Sequence, residues 1–133
     1  MSVKEIGLRT TRRNQLIDIT QKVVKIVNES GVKEGICVLF VPHTTAGITV
    51  NEAADPSVAE DISQTLQRLV PHGGNYAHIE GNADSHIKSV MVSPSITLLV
   101  SGSELVLGRW QGVFFCEFDG PRSRTVLVEV VSR

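Results

Sequence analysis

The sequence predicts an α+β domain with a largely antiparallel sheet or sandwich, and three observations carry that expectation. Short β-branched and aromatic runs outnumber the helical stretches, and most follow one another through turns instead of alternating with helices. The 133 residues, 41% hydrophobic and 20% charged, have ordinary globular composition. A chain of this length buries roughly two thirds of its unfolded surface in one core. No internal repeat, linker or low-complexity tract divides it, so residues 1–133 read as a single domain.

Residues 3–19 read as a β-hairpin, with Ile6 and Leu8 on one arm, Leu16, Ile17 and Ile19 on the other, and a polar turn at 11–14. Thr20 is placed to cap a helix over 21–30, where Val23, Val24 and Val27 recur at helical spacing before Gly31 ends it. Two strands follow, at 35–41 and 46–51. Asp55-Pro56 then sets a capping carboxylate before a proline at the first helical position, and Val58, Ile62, Leu66 and Leu69 trace one face as far as Pro71. A polar segment over 76–86 leads into a short helix at 84–91. The runs 96–100 and 104–107 form a hairpin about Ser101-Gly102-Ser103, and strands at 110–118 and 125–131 flank Asp119-Gly120-Pro121.

A net charge of -1 and a pI near 6.4 leave no large positive field, which argues against nucleic acid or an anionic membrane as partner. The longest apolar run, 36–41, is far short of the roughly 20 residues that span a bilayer. The start of the chain meets charge at once, at Lys4 and Glu5, and has no apolar signal region, so a cytoplasmic location is expected. Cys37 and Cys116 each sit inside an apolar strand-like run and read as buried, reduced thiols. The mean hydropathy of +0.08 is high for so small a soluble chain and points to apolar surface covered by another subunit.

Two polar constellations could carry chemistry. His43 lies between two strands in the run His43-Thr44-Thr45, while His78, Glu80, Asn82, Asp84 and His86 occupy every second position of a second segment. If that segment is extended, all five side chains point to one side. Three neutral imidazoles, from His43, His78 and His86, with a fourth position left to water or substrate would make a zinc-type centre, with Glu80 or Asp84 orienting a ligand or acting as general base. The competing reading is of surface histidines beside capping acids, with Asp84 opening a helix; His72, in a glycine-rich loop, reads as a bystander. In the second constellation, Arg122 and Arg124 follow Asp119-Gly120-Pro121 and could hold a phosphate or carboxylate through paired hydrogen bonds, or could simply be solvated. Thr44 and Thr45 could add hydroxyl donors, and Trp110, beside Gln111, packs at a core edge or a subunit contact.

The runs 43–52, 80–88, 108–112 and 119–122 together resemble the YjbQ-like family, also labelled the secondary thiamine-phosphate synthase family, over essentially the whole chain. The resemblance implies a small α+β fold assembled as a homotrimer, with His43, His78 and His86 as a metal-binding set for a divalent ion, zinc first. It further implies polar site positions at Glu80, Asn82, Asp84, Trp110, Gln111, Asp119 and Arg122, with Arg124 just beyond the matching run. The label implies a reaction that joins a hydroxymethylpyrimidine diphosphate to a thiazole phosphate and releases pyrophosphate. Such a transfer needs cations around the leaving diphosphate, for which Arg122 and Arg124 are available. The alternatives are a metal-dependent hydrolase of a small phosphorylated molecule and a non-catalytic trimer that binds a metal or anion.

Overall fold

The computed structural model describes residues 3–133; Met1 and Ser2, at the head of the expected domain, lie outside the described residues. Among the described residues eight strands form two antiparallel sheets. β1 (Lys4–Arg9), β8 (Ser123–Ser132), β3 (Gly35–Phe40), β5 (Ser95–Ser101) and β6 (Glu104–Leu105) make a five-stranded sheet in that order. β2 (Gln15–Asp18), β7 (Gln111–Glu117) and β4 (Ala46–Glu52) make a three-stranded one. Three helices accompany them: α1 (Thr20–Ser30), α2 (Pro56–Leu69) and α3 (Ala83–Val92).

The two layers enclose the core because their inward positions alternate as a half-buried strand requires. On β8, Arg124, Val126, Val128 and Val130 are buried while their neighbours stay partly exposed. They meet Cys37 and Leu39 of β3 on one side and, across the core, Ile48 of β4 and Phe115 of β7. Val23 and Val27 of α1 join the same cluster. On the outer face of the smaller sheet, Phe114, Cys116 and Phe118 are covered by Ala59 and Leu66 of α2 and Val92 of α3.

The hairpin expected over 3–19 does not form. β1 pairs with β8 in one sheet and β2 with β7 in the other, so the polar turn carries the chain across the edge of the sandwich. This sends Ile6 and Ile19 into one core from two layers, where a two-stranded ribbon would have left one face open to water. The hairpin of β5 and β6 forms as expected. Helix α1 starts one residue early, at Thr20 itself: Ile19 holds the cap position with no side-chain bond, and the Thr20 amide (2.9 Å) and hydroxyl both donate to the Asp18 carboxylate. Asp55 caps α2 through the Ser57 amide as its sequence foretold. Both cysteines are buried and unpaired, and burial pushes their thiols up to about 11 for Cys37 and about 12 for Cys116. No helix among the described residues is long and apolar enough to cross a membrane.

Candidate functional site

At one end of the sandwich the inward positions stop being apolar. Glu117, the last residue of β7, and Arg124, near the start of β8, both point into the space between the sheets and are buried, Glu117 wholly and Arg124 all but the edge that meets the cleft. The Arg124 guanidinium grips the Glu117 carboxylate with Nε at 2.8 Å and with Nη2, which also donates to the Thr45 hydroxyl at 2.9 Å. Glu117 further accepts from the Thr10 hydroxyl at 2.8 Å and from the amides of Phe118 and Asp119. Burial alone would raise the Glu117 carboxyl, but these donors hold it below the usual carboxylate range. The Thr10 hydroxyl also takes the Arg122 amide at 2.8 Å, so one buried acid ties the ends of β1, β4, β7 and β8 together.

A second network lies beside the first. Arg13, from the β1–β2 connection, donates to Asp84 at 3.0 Å and to Asp119 at 3.2 Å. Lys88, one helical turn after Asp84, sets its buried ammonium 3.0 Å from the other Asp84 oxygen and donates to Asn14. Asp119 also accepts from the Asn82 amide at 2.9 Å and from Arg122 at 3.0 Å. Burial would again raise its carboxyl, and these partners hold it low. Gly120 is needed here: a side-chain carbon at that position would strike the Arg12 carbonyl oxygen, so a larger residue would push the two connections apart.

These networks form the floor of an open cleft lined by His43, Thr44, Thr45, Glu80, Asn82, His86, Asp119, Arg122 and Arg124, with Pro42 at its edge. Three chain segments meet there: the β3–β4 connection, the approach to α3, and the β7–β8 turn. The Nη1 atoms of Arg122 and Arg124 make no hydrogen bond among the described residues, whereas their other guanidinium nitrogens are engaged by Asp119 and by Glu117 and Thr45. The Asn82 side-chain oxygen is buried and has no partner among the described residues. His43 accepts the Thr125 amide proton on Nε2 at 3.0 Å. Burial, followed by the positive charge of Arg124, holds its pKa below the ordinary imidazole value.

Several expectations need correction. The alternating segment 78–86 is not one extended strand: α3 begins at Ala83, which turns Asp84 inward and leaves His86 on the cleft. Asp84, expected as a general base, is fully buried between Arg13 and Lys88 and lends the cleft structure, not a reactive oxygen. The His78 and His86 rings stand edge to face, 5.4 Å between centroids, and His78 is 3.9 Å from an exposed Glu80 carboxylate. Among the described residues no group of three or more His, Cys, Asp or Glu could hold a metal ion, so the expected three-imidazole centre does not assemble within one chain. Trp110 and Gln111 lie at the opposite end of β7 from Glu117, roughly 20 Å away at about 3.3 Å per residue. There the Arg109 guanidinium lies 4.7 Å from the Trp110 ring, and Gln111 accepts from the Gly108 amide.

Thr10, Arg13, Lys88 and Glu117 escaped the sequence reading. Two of them left a trace. Lys88 stands four residues after Asp84 on a helix, the spacing of an ion pair, and Glu117 is a lone acid inside the apolar run 113–118. Thr10 and Arg13 gave no local sign.

A small two-layer α+β domain with an arginine-rich polar cleft at one end of its sandwich is thus the class that fold and site define. Residues 4–133 match the model of the UPF0047 protein YjbQ-like family. The chain is 50% identical to a UPF0047 protein of Methanocaldococcus jannaschii over 93% of its own length and 90% of that protein's. It is 42% identical to the UPF0047 protein YugU of Bacillus subtilis, over 97% of this chain and 98% of YugU. A crystal structure of an uncharacterized conserved protein of this family from Clostridium acetobutylicum superposes with a TM-score of 0.94 at 48% identity, covering 96% of this chain and 99% of that one. A YbjQ-like protein of unknown function from Sulfolobus solfataricus gives 0.95 at 35% identity, with 99% and 97% covered. The chain belongs to the UPF0047 YjbQ-like family.

Proposed function

We propose that the cleft binds the phosphate of a small phosphorylated substrate and that the protein is an enzyme acting on it. The observation that carries this reading is the set of free donors on one surface: Nη1 of Arg122, Nη1 of Arg124 and the Thr44 hydroxyl, beside the partnerless Asn82 oxygen. Two guanidiniums whose remaining nitrogens are bound by Asp119 (carbonyl and carboxylate) and by Glu117 and Thr45 are preorganised, so an incoming phosphate would order little that is not already ordered. The Asn82 oxygen gives a hydroxyl or amine of the same ligand something to donate to.

The transferase reading, condensation of a hydroxymethylpyrimidine diphosphate with a thiazole phosphate, draws support from this phosphate end alone. Among the described residues no phenyl, phenol or indole ring lines the cleft to stack on the two heterocycles. A metal-dependent hydrolase draws no support from the donor set. Tyr76, whose hydroxyl donates to the Pro71 carbonyl, stays outside the lining. We also propose that the chain assembles as a homotrimer. Its support is exposed apolar surface in two unlike places, Phe40, Leu99 and Val106 around the larger sheet and Ile87, Val90 and Met91 on α3. A ring of identical subunits needs two unlike complementary patches on each copy.

The test is a thermal-shift titration with inorganic phosphate and pyrophosphate. Wild type should be stabilised in proportion to the logarithm of ligand concentration, and Arg122→Ala should lose most of that effect. Equal shifts in both proteins, or none in either, would dismiss the phosphate reading. Assay of purified protein with both heterocyclic phosphates then decides the transferase: no product above a blank removes it. Sedimentation equilibrium reads the assembly, and a mass of one chain would refute the trimer.

A further inference from the structure

The strand ladder ends in a way that fixes the chemistry of His43. β3 stops at Phe40, opposite Leu127 of β8, so two residues earlier on β8 the Thr125 amide has no β3 carbonyl to meet. A backbone donor inside the fold must find a partner, and the His43 Nε2 supplies it at 3.0 Å. A nitrogen that accepts an N–H bond has its lone pair engaged and carries no proton. The ring's single proton therefore sits on Nδ1.

That assignment limits what His43 can offer. An imidazole binds a metal through an unprotonated nitrogen while its other nitrogen carries the proton. Coordination through Nε2 would displace the Thr125 amide. Coordination through Nδ1 would require a proton on Nε2, which would then face the Thr125 N–H donor to donor. Rotating the ring by half a turn would put a carbon where Nε2 stands and leave the amide orphaned. Each route costs the partly buried hydrogen bond that satisfies the Thr125 amide. Nδ1 itself makes no bond among the described residues, and His43 lines the cleft beside Arg124.

We infer that His43 is locked by Thr125 as the Nδ1–H tautomer and serves the cleft as a neutral hydrogen-bond donor to an anionic oxygen, not as a metal ligand. The donor role rests on the phosphate reading above; the tautomer does not. The Arg124 guanidinium next to it would then share one oxyanion with the imidazole N–H, the charged group supplying attraction and the neutral one direction.

Two-bond proton–nitrogen correlation spectra of the wild-type protein near neutral pH test the tautomer, with the His43 signals assigned by their loss in His43→Asn. The expected pattern has Nδ1 protonated and Nε2 bare, and adding zinc chloride leaves both His43 nitrogens unmoved. An Nε2–H pattern, or a coordination shift at His43 on adding zinc, overturns the inference while leaving the phosphate reading standing. The donor role is tested by phosphate titration of two variants. His43→Asn puts an amide nitrogen close to the place of Nδ1, and His43→Gln puts its amide near Nε2. The asparagine variant should keep phosphate affinity within about threefold of wild type and the glutamine variant should lose about tenfold. Equal losses in the two variants refute the donor role. Phosphate that fails to bind the wild type refutes both that role and the function proposed above, and the tautomer spectrum is then judged alone.

Discussion

Beneath the cleft Glu117, Arg124 and Thr10 are buried and joined by hydrogen bonds of 2.8 Å, and Asp84 is buried against Arg13 at 3.0 Å, whereas on the outer wall His72, His78, Ile79 and Glu80 stand in water. The outer segment is tied mainly to itself: His72 contacts the Gly81 carbonyl at 2.8 Å, and the Tyr76 hydroxyl donates to Pro71. The contrast teaches where rigidity is needed. Charges on the inner wall are held by other charges beneath them, while the outer wall carries few contacts to break.

The largest test of this difference is Glu117→Gln. It leaves the Arg124 guanidinium buried opposite a neutral amide and should lower stability by about 3–5 kcal/mol in chemical denaturation. A loss below about 1 kcal/mol would mean that Arg124 reaches water and that the inner wall is not sealed. Next comes Lys88→Met. Arg13 still faces Asp84, so the expected loss is smaller, about 2–3 kcal/mol, and adding Asp84→Asn should recover part of it. If the double variant is worse than Lys88→Met by the full cost of a second independent substitution, the pair is not coupled.

Acid should expose the same wall. The Glu117 and Asp119 carboxyls titrate lower in the folded chain than in the unfolded one. Their stabilisation is therefore present above the unfolded values, near pH 4, and is lost as pH falls through the folded ones. His43 acts in the same sense. Its folded pKa lies below about 6.5, so the unfolded chain takes up its proton first and stability declines as pH drops beneath that value. Denaturation midpoints measured from pH 7 to pH 3.5 should fall throughout and steepen below about pH 4.5, and Glu117→Gln should flatten the acid limb. A profile level from pH 7 to pH 4 would contradict these assignments.

The smallest effects belong to the outer wall. His78→Ala and Ile79→Ser should each change stability by no more than about 0.5 kcal/mol, since Ile79 is 96% exposed. A loss above 1.5 kcal/mol in either, at high dilution, would show that the segment is anchored in a way its exposure does not reveal.

Much of this molecule was legible before its fold was known. Runs of β-branched and aromatic residues bounded by turn residues placed β3, β4, β7 and β8, because such side chains fit a pleated, buried backbone whatever the partner strand. Asp55-Pro56 and Gly31 marked helix ends through local backbone chemistry that needs no tertiary contact. The motif runs also named most of the cleft: His43, Thr44, Thr45, Glu80, Asn82, His86, Asp119 and Arg122 converge there, joined by Arg124 from just beyond the last run.

The pairing of strands was decided elsewhere. Residues 3–19 hold two strands and a polar turn that fit a hairpin, and only the competition of β8 and β7 for those strands sends them to different sheets. Arg13 becomes a bridge between Asp84 and Asp119 for the same reason, since its neighbours in sequence do not foretell a partner 71 positions away. Trp110 and Gln111 belong to a motif by sequence yet stand at the far end of β7, because a strand's length separates what its order joins. Local chemistry sets which backbone each segment prefers and which groups can react. Which groups meet depends on long-range burial, where the entropy of closing large loops is repaid only by the whole core at once.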